Sequence, residues 1–129
     1  QKISLPLLQG KNSTGANAIA AWNDEKMMIV GGDFANDTLR SGNAAIVLKK
    51  GKKIITPKVP PFGYRSSVTF LSATRLIACG SSGVDISEDG GMHWRKISDT
   101  GYHVVKKAKK GNAVFLAGGN GRLATLRWP

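Results

Sequence analysis

The residues that could perform chemistry are few and scattered along the chain. His93 and His103 flank a turn signal, and no Asp, Glu or Cys completes a set of metal ligands around them. Cys79 is the only cysteine; it ends an apolar run beside Gly80 with no adjacent base, as expected of a small buried hydrophobe rather than a nucleophile. We therefore expect no metal, no cofactor and no assignable catalytic residue, which favours an interaction module over an enzyme.

Two glycine-rich turns could bind an anion through backbone N–H groups. They read Gly-Ser-Ser-Gly at 80–83 and Gly-Gly-Asn-Gly at 118–121. Neither turn precedes a helical pattern, and neither carries the Lys-Ser/Thr pair of a phosphate-binding loop. We interpret both as turns between strands.

Basic residues outnumber acidic ones, with 19 Lys and Arg against 8 Asp and Glu and a net charge of +11. Lysines cluster at 49–53 and at 106–110, each time beside a turn glycine. At hairpin tips, lysines discourage edge-to-edge pairing of sheets. The alternative is a stripe that binds an anionic polymer, such as a phosphate or glycan chain. No aromatic residue lies among these lysines, so a nucleic acid partner is not expected.

The elements that must position these residues have the pattern of short β-strands. Apolar runs of four to six residues end in Gly, Asn or Asp, and no helical period persists over ten residues. The 129 residues suit one domain, and no apolar run approaches the length of about 18 residues that spans a membrane. A polar insertion, 34–43, and a proline-rich connector, 57–65, interrupt the strands.

Three stretches repeat along the chain, each a short apolar strand that ends in glycine. They are 28–32, 76–80 and 115–119. Gly80 and Gly118 are 38 residues apart, whereas Gly32 and Gly80 are 48 apart, and the excess is about the length of the 34–43 insertion. A four-stranded unit that repeats about every 40 residues is typical of a β-propeller blade.

One motif lies in the turn before the last strand of the middle unit. Ser87, Asp89, Gly91 and Trp94 follow the pattern S-x-D-x-G-x-x-W. Asp89 can accept N–H groups of its own turn, Gly91 tolerates a positive φ, and Trp94 can fill the space toward the next blade. The motif resembles the Asp-box, or BNR repeat, of sialidases and related propellers, and that resemblance implies structural roles for all four residues.

A wider resemblance covers about residues 16–127. The runs at 29–33 and 41–46 are similar to bacterial propellers of the photosystem II stability and assembly factor type. The resemblance implies an all-β fold of four-stranded antiparallel blades and a non-enzymatic role in recognition or assembly. Because Asp-box propellers are often exported, it also favours a secreted or periplasmic location.

The resemblance to sialidases implies an alternative, part of a glycan-active hydrolase. Such an enzyme needs an arginine triad, a Tyr/Glu nucleophile pair and an Asp acid/base. The spacing of the arginines identifies no triad, and the only glutamates, Glu25 and Glu88, lie in turns. We assign no catalytic residue, and an enzyme is the less favoured interpretation.

The predicted strands make about three blades of an incomplete ring. We expect an orphan outer strand at 1–8, a blade at 16–56, a blade with the Asp-box at 66–97 and a partial blade at 104–126. About four blades are needed to close a ring, so the two end blades should expose apolar faces. We therefore expect a partner, either the missing part of a propeller or a second copy of this chain.

Candidate residues for binding a protein or glycan ligand lie in the insertion and in the connector. Loops carry function on propellers, and Tyr and Arg are enriched at interface hot spots. The candidates on this face are Asp33, Arg40, Phe62, Tyr64 and Arg65.

Overall fold

The computed structural model describes residues 2–128, which form three antiparallel sheets in chain order. The first sheet contains β1 (Thr14–Asn23), β2 (Lys26–Asp33), β3 (Ala44–Leu48) and β4 (Lys53–Ile55), with a 3₁₀ turn at Lys49–Gly51. The second contains β5 (Ser67–Phe70), β6 (Leu76–Gly80), β7 (Gly83–Ser87) and β8 (Trp94–Ser98). The third contains β9 (Val104–Lys107), β10 (Val114–Ala117) and β11 (Leu123–Leu126).

The three sheets stack as neighbouring blades of a propeller, which confirms the predicted fold class. Within each sheet every strand pairs with the next strand in the chain. The first strands of the sheets lie side by side, because β5 contacts both β1 and β9. The later strands therefore extend outward from a common inner edge, as in a propeller.

Two hydrophobic clusters hold the sheets together, because the side chains of the middle sheet alternate between two faces, each packed against a neighbouring sheet. Met28 and Ile46 of the first sheet pack against Leu76 and Trp94 of the second. Ile77, Cys79 and Ile86 on the opposite face of the second sheet pack against the third sheet. The middle blade is consequently buried on both faces.

The repeats align at Gly31, Gly80 and Gly118, so the predicted alignment of Gly32 with Gly80 is wrong by one residue. A Cβ at Gly31 would collide with the carbonyl of Gly15 in β1, and one at Gly80 with the carbonyl of Tyr64, just before β5. The carbonyl of Gly31 accepts a hydrogen bond from Arg65 N at 2.9 Å, and that of Gly80 from Tyr102 N at 3.0 Å. The same backbone hydrogen bond therefore links neighbouring blades at both crossings, from the first blade to the second and from the second to the third.

The predicted orphan strand at 1–8 is not formed within residues 2–8; residue 1 lies outside the described part. This segment instead lies across the outer face of the first sheet, where Leu5 and Leu7 pack against Ile29 and Ala45. Its bond to the rest of the blade runs from Leu8 N to Gly42 O, at 2.8 Å. Pro6 lacks an N–H group and cannot join a continuous ladder. The chain itself thus covers this end face over β2 and β3, while Ile19 of β1 on the same face is 61% exposed.

The other end face, on the third sheet, is open to solvent. The side chains of Val104, Phe115 and Leu123 on this face are 44%, 42% and 72% exposed. We call these residues the open face. Among residues 2–128, no helix is long and apolar enough to cross a membrane.

Candidate functional site

The turn between β7 and β8 is organised by Ser87, Asp89, Gly91 and Trp94. Asp89 Oδ1 accepts hydrogen bonds from Ser87 Oγ at 3.0 Å, Met92 N at 3.1 Å and His93 N at 2.9 Å. Ser87 Oγ in turn accepts the N–H of Gly91 at 2.9 Å, and Gly91 has a φ of 99° that favours glycine. All of these bonds lie within the turn, so the arrangement supports the backbone rather than a ligand.

Trp94 joins this turn to the core. Its indole Nε1 donates to Gly91 O at 2.8 Å, and its ring is buried with Met28 and Ile46 of the neighbouring sheet. A Cβ at Gly91 would also approach Met28. The turn therefore closes the gap between the first and second blades.

The histidines and the cysteine do not assemble a reactive centre. His93 Nδ1 lies 2.6 Å from Asp89 Oδ2 on the surface, whereas His103 is exposed in the third sheet. Cys79 is buried, and burial raises the pKa of its thiol to about 12. No cluster of three or more metal-ligating side chains occurs among the described residues.

The arginines are held at separate places. Arg65 pairs with Asp85, Arg95 lies 3.3 Å from Glu88, and Arg122 donates to Gly101 O at 2.6 Å. Arg40 and Arg75 stack on aromatic rings elsewhere. These five guanidinium groups do not converge on one point.

The structure brings the insertion and the connector together on one surface. Asp37 O in the insertion accepts Tyr64 N at 2.9 Å and Ser82 Oγ at 2.7 Å, and Ser81 Oγ donates to Asp37 Oδ2 at 2.8 Å. We call this surface, formed by residues 33–43, 60–65 and 81–82, the loop face. Asp37 was not among the sequence candidates, and its local sequence carries no signal for these long-range bonds.

Asp33 and Arg40 shape the loop face from within. Asp33 Oδ1 accepts Ala35 N at 3.0 Å, and a hydrogen bond from Ser13 is the main cause that lowers the pKa of this carboxyl. Arg40 lies 3.7 Å above the ring of Phe62, and its Nη2 donates to Pro60 O at 2.9 Å. Asp33 therefore holds the start of the insertion, and Arg40 links the insertion to the connector.

Arg65 lies beneath the loop face, not on it. Its side chain is fully buried, and its Nε donates to Asp85 Oδ2 at 2.7 Å. The same oxygen accepts Phe62 N at 2.9 Å, while Arg65 Nη1 donates to Ser82 Oγ at 3.0 Å. A desolvated pair of this kind holds a loop in one geometry, and loss of either partner leaves a buried charge. Arg65 thus positions the connector.

Aromatic side chains provide the accessible part of the loop face. Phe34 is 60% exposed and meets Tyr64 edge-on, with 6.1 Å between ring centroids. Partial burial raises the pKa of the Tyr64 hydroxyl. Beside the two rings lies a cleft of about 110 Å³, with Gly32 and Asn17 among its lining residues. Sequence reasoning missed Phe34, although it is the aromatic residue of the insertion.

The lysine tip at 49–53 is a tight hairpin turn. Lys49 and Lys50 have positive φ values of 52° and 57°, and Gly51 has one of 91°. Lys49 N bonds to Glu25 O at 3.0 Å, which anchors the turn to the neighbouring hairpin. The tip therefore presents its lysine side chains to solvent without forming a concave site.

Comparison with known proteins identifies a propeller of similar fold. No family model and no curated protein matches the chain. Among solved structures, YCF48 bound to D1 peptide matches with a TM-score of 0.65 and 13% sequence identity. The match covers 95% of this chain and 43% of that chain. At this identity the likeness establishes the fold, and the chain spans less than half the length of that protein.

Proposed function

We propose that this chain is a recognition scaffold without catalytic activity, which binds a segment of a partner protein on its loop face. The observation that carries the proposal is the exposed ring of Phe34, which packs edge-on against the half-buried ring of Tyr64 beside a cleft, on loops held from below. Rigid aromatic side chains supply contact area at low entropic cost, so they suit an interface anchor.

Buried polar side chains support this pair from beneath. Asn43 is buried and donates from Nδ2 to Pro61 O at 2.9 Å and to Gly63 O at 2.8 Å. With the Arg65–Asp85 pair, these bonds fix the connector against the second sheet. Binding then costs little ordering of the surface, which favours affinity.

The structural comparison supports the same class of function. YCF48, the propeller of similar fold, was solved with a peptide bound. A peptide or protein ligand for this chain agrees with that precedent.

The test is selection of peptides from a random display library on the immobilised chain, followed by affinity measurement with the double variant Phe34→Ser/Tyr64→Ser. We expect the selected peptides to lose about tenfold or more in affinity, since hot-spot aromatics typically contribute more than 1–2 kcal/mol. Trp22→Ser is the matched control, because Trp22 is an aromatic residue, 47% exposed, outside the loop face. Equal affinity in the double variant, or no selected peptide, would contradict the proposal.

Two further assays test the alternative functions. Turnover of a fluorogenic sialoside by this chain would favour a glycan-active hydrolase. Retention on heparin that depends on the lysine tips, and survives at more than about 0.2 M salt, would favour binding of an anionic polymer over general charge attraction.

A further inference from the structure

The cleft beside Phe34 and Tyr64 has walls from two neighbouring blades. Gly15 and Asn17 belong to β1 of the first blade, whereas Tyr64 leads into β5 of the second. Asn17 Nδ2 donates to Ser66 O at 3.2 Å, and this bond joins the two walls. The cleft is therefore a feature of the boundary between the first and second blades.

A β-bulge shapes one wall of this cleft. Ala16 pairs with Gly31 and Ala18 pairs with Val30, so Asn17 is an extra residue that has no partner in β2. Bulges re-aim a side chain and are common next to functional sites. Because the Nδ2 atom of Asn17 bonds to the second blade, the side chain is held in place and its Oδ1 can accept a hydrogen bond from a ligand.

Two hydroxyl groups that line the cleft have already used their protons. Thr14 Oγ1 donates to Lys11 O at 3.0 Å, and the hydroxyl of Ser13 donates to the carboxylate of Asp33. Each hydroxyl can therefore bond to a ligand only as an acceptor. A ligand group that only donates, such as an ammonium or a guanidinium, suits this lining better than a carboxylate, which only accepts.

A negative charge lies next to the cleft. Asp33 directly precedes Phe34, and the pKa of its carboxyl is below the ordinary value, so this group is ionised at neutral pH. The exposed Lys11 affects this pKa less than the hydrogen bonds to Asp33 do. Arg40 is engaged elsewhere, since it stacks on Phe62 and donates to the connector. A cationic ligand would therefore meet complementary charge at this end of the loop face.

The lysine tip of the first blade lies far from this cleft. β3 starts next to the loop face at Ala44 and ends at Leu48, beside the lysine tip at 49–53. Five residues of strand span about 16 Å, at about 3.3 Å per residue. This length exceeds the Debye length of about 8 Å at physiological ionic strength. The lysine tip therefore does little to repel a cationic ligand from the cleft.

The size of the cleft and its aromatic border favour arginine among the cationic side chains. The volume of about 110 Å³ equals that of three or four water molecules, at about 30 Å³ each in the liquid. A guanidinium is a flat group of similar size that carries several N–H donors, whereas the ammonium of lysine is a compact point charge. Guanidinium groups also stack on aromatic rings, and the exposed ring of Phe34 borders the cleft.

We propose that the partner segment bound on the loop face presents an arginine side chain, whose guanidinium stacks on Phe34 and donates to Asn17 Oδ1 in the cleft. The hydroxyls of Ser13 and Thr14 accept further N–H groups, and Asp33 supplies the compensating charge. This inference rests on the proposed function and names the side chain that the ligand carries. A glutamate in the same place would bring acceptor oxygens to a lining of acceptors and would be repelled by Asp33.

The test is an NMR titration of the isotope-labelled chain with N-acetyl-arginine amide, a probe whose only charge is its guanidinium. N-acetyl-glutamine amide is the uncharged comparison, and N-acetyl-lysine amide has the same charge in a different shape. We expect the arginine probe to shift the amide signals of Gly15, Asn17 and Phe34, and the other two probes to bind at least about threefold more weakly. Equal affinity of the arginine and glutamine probes, or shifts confined to other parts of the chain, would overturn the proposal.

Variants of the cleft separate stacking from charge attraction. Phe34→Leu removes the ring and keeps an apolar side chain, and Phe34→Tyr is its matched control because it keeps the ring. Asp33→Asn removes the charge beside the cleft, whereas Asp24→Asn removes an exposed charge from the turn between β1 and β2. We expect Phe34→Leu and Asp33→Asn each to weaken binding of the arginine probe about threefold and both controls to bind as the wild type does. Phe34 is exposed, so Phe34→Leu serves if Asp33→Asn fails to fold. Unchanged affinity in folded Phe34→Leu or Asp33→Asn would refute the site.

Peptides distinguish this inference from the proposed function. In peptides selected on the loop face, replacement of an arginine by glutamine should weaken binding about threefold or more. Selected peptides that require Phe34 and Tyr64 but contain no arginine would support the proposed function and overturn this inference. Binding of the arginine probe in the cleft without any selected peptide would support the arginine site and contradict the proposed function.

Discussion

Asp89 stabilises the β7–β8 turn with both of its carboxylate oxygens. Burial acts to raise its pKa, but hydrogen bonds from His93 and Ser87 outweigh that effect, so the pKa of Asp89 lies below its ordinary value of 3.8. A carboxyl whose pKa is lowered by folding stabilises the protein above its unfolded pKa. That contribution is lost as the pH falls through the folded pKa.

We expect Asp89→Ala to lower the free energy of unfolding by about 1–2 kcal/mol at neutral pH, since it leaves several N–H groups of the turn without their acceptor. The difference from the wild type should narrow as the pH falls below 3.8, the ordinary pKa of this carboxyl. Urea unfolding at several pH values measures both effects. Asp99→Ala, at a side chain 91% exposed and bonded to Lys96, is the control and should change stability little. A difference in unfolding free energy between Asp89→Ala and the wild type that persists at low pH would show that the ionised carboxylate is not what stabilises the turn.

At the scale of elements, the N-terminal segment takes the place of a neighbouring blade on the first sheet. Leu5 and Leu7 alternate onto Ile29, Ala45 and Val47, where a sheet would otherwise pack. The segment buries this face with few backbone bonds, so its attachment rests mainly on apolar contacts.

We expect Leu7→Ala to destabilise the protein by about 2–3 kcal/mol, as for other buried leucines, and to increase the fluorescence of a bound hydrophobic dye. Leu123→Ala is the matched control, because Leu123 is 72% exposed and its truncation removes little packing. Thermal unfolding and dye fluorescence compare the two. Similar small effects for both variants would mean that the segment does not shield the first sheet.

Strands and blades were predictable because alternating apolar runs and turn glycines are local signals. The repeat alignment failed by one residue because two consecutive glycines, Gly31 and Gly32, lie near the end of β2, and only the close approach of Gly31 to β1 distinguishes them. The pairing of Arg65 with Asp85 had no local signal, since their contact depends on how two strands are placed. For the same reason, the sequence named Arg65 for the loop face without indicating its burial.

For the whole molecule, the two ends of the arc differ. Residues 2–8 cover the end face of the first sheet over β2 and β3, while the open face of the third sheet presents Val104, Phe115 and Leu123 to solvent. Contiguous apolar side chains on a sheet mark a surface for association. We propose that the open face meets a second copy of this chain or the remaining part of a propeller.

We expect the isolated chain to self-associate reversibly with increasing concentration and Phe115→Lys to remain a monomer near 13.7 kDa, because the lysine places charge within the apolar patch. Light scattering after size exclusion measures the mass. Phe34→Lys controls for loss of an exposed aromatic residue elsewhere and should associate as the wild type does. If the wild-type chain stays monomeric at every concentration, the open face is stable in water without a second copy, and the prediction is wrong.

Because the two ends of the arc are covered unequally, they should also resist mechanical force to different degrees. Among residues 2–128, strands pair only within their own sheet, and β11 pairs with β10 alone. Force applied at residue 128 would therefore detach β11 by breaking the pairing with a single strand. Force applied at residue 2 must first lift residues 2–8 and then extract β1, which is held by both β2 and β5. Single-molecule pulling on residues 2–128 should therefore meet less resistance at β11 than at β1.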